Sequence, residues 1–140
     1  LREAGAETVD FEAAEIARVE SGRPRLGREI EPERTMPQEA GINDRAVSFT
    51  KGCYIGQETV ARLHYKGKPN RHLRRLRSAE PVAAGDAVLA GDREVGVIGT
   101  AVISPAEGPL ALAILRREVA PGDEVSIGDG VAAVVEAVGA

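Results

Sequence analysis

Eight consecutive residues, Lys51-Gly52-Cys53-Tyr54-Ile55-Gly56-Gln57-Glu58, bring together a thiol, a cation, an amide, a carboxylate and two glycines. A thiol does its chemistry as the thiolate, which is both nucleophile and metal ligand. Lys51 stands two residues before Cys53, and a helix is expected to begin just after it. A nearby cation and the positive end of a helix both favour the thiolate. Gly52 and Gly56 allow a tight turn or a close backbone approach to a ligand. Gln57 and Glu58 fall on the first helical turn, where they can hold a ligand amide or cap backbone N–H groups. A plainer reading stands beside this one. A lone Cys commonly serves as a small buried hydrophobe, the glycines as turn residues and Glu58 as a helix-start acid. Residue type and spacing leave both open.

The elements around the segment are legible from punctuation and period. Residues 10–20 read as a helix with Asp10 as N-cap and Ala13, Ile16 and Val19 as its apolar register. Gly22 and Pro24 stop it. Residues 25–45 lack a period and carry Pro32, Pro37 and Gly41, so an irregular connection is expected; long loops of this kind are often functional. Ala46–Phe49 reads as a short strand and Lys51-Gly52 as the turn after it. Residues 55–64 read as a helix with Ile55, Val60 and Leu63 inward, broken by Tyr65–Asn70.

From residue 72 the pattern is that of strands. His72–Arg77 is one, although Leu73 and Leu76 are spaced wrongly for strict alternation. Ala87–Ala90 and Glu94–Ile103 flank a Gly91-Asp92 turn signal. Leu110–Leu115 is a continuous apolar run. Glu124–Ile127 and Val131–Val138 flank Gly128-Asp129-Gly130. A weak repeat recurs: Val82–Val88 and Val119–Val125 match at five of seven positions. Strands apolar on both faces predict a closed or sandwiched sheet. The expected fold class is therefore α+β: a mixed helix-and-strand unit over residues 1–77, followed by a small antiparallel β-barrel over 78–140.

Composition narrows the function classes. Apolar residues make up 43% and charged residues 29%, which is ordinary for a globular domain. No apolar run reaches the length of a membrane-spanning helix, and no basic-then-apolar leader follows Leu1, so a cytoplasmic location is expected. One cysteine cannot form an internal disulfide, which fits a reducing compartment. Cys53, His64 and His72 cannot complete a four-ligand zinc site, so no resident metal is expected. The net charge is −4, yet Arg62, Lys66, Lys68, Arg71, Arg74, Arg75 and Arg77 form a strip without an acid. The strip reads as a solvated face whose arginine stems cover apolar surface, or as a site for a defined anion. With Tyr65 as its one aromatic, it argues against nucleic acid.

The string KGCYIGQE resembles the signature of the YgfZ-type folate-binding proteins, relatives of the glycine-cleavage T-protein (aminomethyltransferase). Three further stretches share the resemblance: Glu20-Ser21-Gly22-Arg23-Pro24 through Gly27, Pro37-Gln38-Glu39-Ala40-Gly41, and Val95–Thr100 through Ser104-Pro105. It thus spans nearly the whole chain, as the C-terminal portion of such a protein. The resemblance implies tetrahydrofolate as cofactor, iron–sulfur enzymes or assembly proteins as partners, and an accessory rather than an enzymatic role. It carries cofactor binding onto Lys51, Gly52, Tyr54, Gly56, Gln57 and Glu58, and the functional thiol onto Cys53, as a ligand to a transient cluster or half of a mixed disulfide. It also implies that an N-terminal half of the family forms much of the folate pocket. The alternative it allows is a tetrahydrofolate-dependent aminomethyltransferase.

Overall fold

A computed structural model describes residues 2–138; Leu1, Gly139 and Ala140, which belong to the expected two-part division, lie outside the described residues. After a single 3₁₀ turn at Arg2–Ala4 come helix α1 (Phe11–Glu20), the short α2 (Asn43–Ala46) and α3 (Gln57–Lys66). Six strands follow: β1 (Arg71–Ser78), β2 (Ala87–Ala90), β3 (Arg93–Ser104), β4 (Gly108–Arg116), β5 (Glu124–Ile127) and β6 (Val131–Glu136). All pairings are antiparallel, and the sheet closes in the order β1-β4-β3-β2-β5-β6. The expected α+β class with a small antiparallel barrel is the observed one. The first barrel strand starts at Arg71, upstream of residue 78.

The spacing of Leu73 and Leu76 now has a physical meaning. Residues three apart in a strand point to opposite faces. Leu76 points into the barrel with Val88, Ile98, Ala111, Leu115, Ile127 and Val135. Leu73 points outward and joins Val19, Leu110 and Leu112 in a second core beneath α1. β1 and β4 are thus buried on both faces, which is why Leu110–Leu115 reads as an unbroken apolar run.

Asp10 caps α1 by accepting a 2.8 Å bond from the Ala13 N–H. The expected apolar register of that helix holds only in part. Val19 is fully buried, but Ala13 is exposed, and polar groups share the inward face. Arg18 donates to Glu15 (3.0 Å), Glu29 (3.1 Å) and the Thr100 hydroxyl of β3 (2.8 Å). The Ser104 hydroxyl donates to Glu20 at 2.6 Å. A charged network, as much as apolar contact, docks α1 on the barrel.

The repeat is an architectural fact. In each copy the Asp accepts a 2.8 Å bond from the N–H three residues back, Asp86 from Ala83 and Asp123 from Ala120. The glycines before them share a left-handed backbone, φ 97° at Gly85 and 98° at Gly122. Gly85 donates to Ile98 O and Gly122 to Val135 O, both at 2.8 Å. The strand pairs obey the same rule. Ile98 opposes Ala113 as Val135 opposes Leu76, and Ala87 opposes Val97 as Glu124 opposes Val134. β1-β2-β3 and β4-β5-β6 are related by a pseudo-twofold axis, and equivalent residues meet each other at Arg75–Leu112 and Leu89–Ser126.

Candidate functional site

Two expectations about the approach to the motif are corrected. Ala46–Phe49 is not a strand: Ala46 ends α2, and Val47 to Phe49 pair with no strand. A β-like run of four residues has no sheet edge to join here, because the barrel is closed. The helix after the motif starts at Gln57 and runs to Lys66, ending at Gly67 rather than at Tyr65. Ile55 therefore precedes the helix and is fully exposed, 104% of its reference area, instead of facing inward.

The turn that carries Cys53 is fixed by local contacts. Gly56 is the N-cap of α3 with φ 86°, a left-handed conformation that costs a side-chain-bearing residue most. Gln57 reaches back: its Oε1 accepts from the Tyr54 N–H at 3.2 Å, and its own N–H donates to Tyr54 O at 3.2 Å. Lys51 places its ammonium 4.9 Å from the centre of the Tyr54 ring, a cation–π contact. Gly52 is exposed, its backbone is not left-handed, and nothing crowds its α-carbon.

Cys53 is exposed. It lies before the N-cap rather than in the first turn of α3, and a helix dipole acts mainly within that turn. With Tyr54, Gly56, Gln57, Glu58, Thr59 and Ala61 it lines an open groove of about 590 Å³. No side chain caps the start of α3, so the groove combines a thiol with the donor-rich end of a helix. Lys51 and Gly52 flank the groove without lining it. Among the described residues, no group of three His, Cys, Asp or Glu side chains is disposed to hold a metal ion.

The far end of the segment is pinned by residues that spacing does not single out. Phe49 stacks on His64 with centroids 3.9 Å apart, and Tyr65 meets both edge-on. Gln38 donates to Val60 O at 2.8 Å, linking the Pro37–Gly41 stretch to α3. Glu39 of that stretch accepts from Arg71 through both carboxylate oxygens, from Nε at 3.0 Å and Nη2 at 2.9 Å. The basic strip is thereby divided. Arg71 pairs with Glu39, while Arg75 and Arg77 share Glu107 and Glu136. Only a sequence signal from distant acids could have revealed this, since those partners lie outside the strip.

No protein-family model matches the chain. The fold is that of an aminomethyltransferase-type protein: the crystal structure of the glycine cleavage system aminomethyltransferase T from Bartonella henselae superposes with a TM-score of 0.79 at 25% identity, covering 90% of this chain and 37% of that one. Sequence relatives are more specific. The iron-sulfur cluster assembly factor IBA57, mitochondrial, of Mus musculus is 32% identical over 108 residues, 75% of this chain and 30% of the relative. The tRNA-modifying protein YgfZ of Vibrio vulnificus (strain YJ016) is 48% identical over 50 residues, 36% of this chain and 15% of the relative. The chain is thus similar to YgfZ-type, aminomethyltransferase-related proteins over a partial, C-terminal region. It spans less than a third of the length of these two relatives.

Proposed function

We propose that this chain is the thiol-bearing part of a folate-linked accessory protein that supports the assembly or upkeep of iron–sulfur clusters in a reducing compartment. The observation that carries this reading is the exposed Cys53 at the lip of an open groove, beside a turn that Gln57 fixes through Tyr54. The names of the relatives and the T-protein-like fold support it. Iron–sulfur clusters are held in proteins by cysteine thiolates. Cys53 loses its proton and supplies one sulfur ligand to an iron of a cluster in transit; the remaining ligands come from the donor or the client. Tetrahydrofolate bears on Tyr54, Gln57 and Glu58 in this reading, together with protein beyond these residues.

The test uses the gene product that carries these residues. In cells lacking it, the Cys53→Ser variant is expected to leave iron–sulfur enzyme activity at the level of the deletion. Because Cys53 is exposed, the variant's melting temperature should match the parent's. Full rescue by Cys53→Ser would falsify the thiol role. Calorimetric titration with tetrahydrofolate examines the cofactor separately. An aminomethyl donor turned over with tetrahydrofolate would move the protein into the transferase class instead.

A further inference from the structure

Apart from Tyr65, whose ring meets Phe49 and His64, the outward face of α3 is largely exposed among the described residues. Val60 is the one buried residue of that helix, and α1, not α3, packs on the barrel strands. Glu58, Ala61, Arg62, Tyr65 and Lys66 follow the spacing of a single helical face and line a shallow groove of about 460 Å³. Tyr65 is the aromatic of that lining, 68% exposed. Among the described residues, Lys51, Arg62, Lys66 and Lys68 make no ion pair, whereas Arg71, Arg75 and Arg77 are all neutralised.

An aromatic flanked by unpaired cations over a floor of small side chain has the composition of an interface centre, where Tyr and Arg dominate binding energy. We infer that this face docks an acidic, amphipathic segment of a partner protein, its carboxylates on Arg62 and Lys66 and its apolar side on Tyr65 and Ala61. Nucleic acid fits less well. The ion pairs of β1 leave an island of positive charge, not the continuous track that a phosphate backbone needs, and Glu58 stands within the face. The same helix begins at the Cys53 groove, so a segment seated here brings its protein to the thiol. The inference rests on the accessory-factor reading for what the partner is, not for where it binds.

The probe is a fluorescein-labelled helical peptide with Glu along one face and Leu along the other, titrated against the full gene product by anisotropy. A single-stranded RNA of matched length is titrated in parallel. The peptide should bind, more weakly as salt rises, and Arg62→Glu with Lys66→Glu should weaken it at least about tenfold. Tyr65→Ala should weaken it as well. Arg62 and Lys66 are exposed, and an unchanged circular-dichroism melt of their double variant checks that the fold persists; Tyr65 also meets Phe49 and His64, so the charge-reversed variant decides the test. No peptide binding, equal binding by the charge-reversed variant, or tighter binding of the RNA each overturns the inference. Cys53→Ser should leave peptide binding intact. Loss of the docking result and loss of the thiol role are therefore separately visible.

Discussion

Glu39 shows how much of this molecule rests on single charged side chains. Burial pushes its carboxyl up, but hydrogen bonds from Arg71 and the Met36 N–H outweigh burial and hold it below its ordinary value of 4.5. A carboxylate depressed in the folded state stabilises the fold above its unfolded pKa, and that contribution is lost as the pH falls through the folded value. His72 acts in the same direction: burial first, then Arg74, lowers its pKa from 6.5. Stability should therefore decline on acidification, first mildly below pH 6.5 and then more steeply below 4.5. Urea midpoints measured across that range check it, and Glu39→Gln should lower stability at neutral pH while flattening the acid limb. None of this was legible in the sequence. Glu39 and Arg71 are far apart in the chain, and the basic strip reads as unpaired until the fold supplies its acids.

Among the elements, β1 is the most informative. Its alternation looks faulty because two different cores claim it. Leu73→Ala and Leu76→Ala should each cost about 2–5 kcal/mol, the range for deleting a buried leucine. Their signatures should differ. Leu73→Ala should raise amide exchange in α1 disproportionately, while Leu76→Ala should loosen the barrel as a whole; exchange mass spectrometry separates the two. The hairpin strands β2–β3 and β5–β6 were readable because Gly-Asp turns bracket them. The stretch before the motif was not. Ala46–Phe49 has strand-like side chains, but a closed barrel offers no edge, and Phe49 instead stacks on His64. α3 outlasts its expected end because Tyr65 is held by the same ring cluster. For the site itself, spacing indicated a turn with a thiol; which residues hold that turn emerged only from the contacts of Gln57, Lys51 and Gln38.

At the scale of the whole molecule, a protected barrel carries a lightly attached appendage. Strand amides inside the barrel should exchange slowest, and residues 47–66, whose ring cluster of Phe49, His64 and Tyr65 is internal to the segment and whose side-chain hydrogen bond to the Pro37–Gly41 stretch is that of Gln38 to Val60, fastest among the helical regions. The closed order of strands and the identity of the two Gly-Asp turns also account for how the class of fold was visible early. Each turn motif introduces the same strand–strand unit, and a unit present twice is easier to read than one present once.

That doubling has a consequence for where such a barrel comes from. Three strands leave two raw edges and half a core, and the twofold pairing makes those edges complementary to themselves. A single copy is a self-complementary peptide that closes by finding its twin; the present chain fuses the twins. Residues 71–107 alone should consequently associate as pairs in sedimentation equilibrium rather than remain monomeric. Fusion also freed the halves to diverge. At the register position where the axis crosses, one copy keeps Arg75, bound to Glu136 and Glu107, while the other has Leu112, the floor beneath α1. A twin pair could not have held a single helix on one side only; a fused pair can, and that helix is the start of everything the chain adds to its barrel.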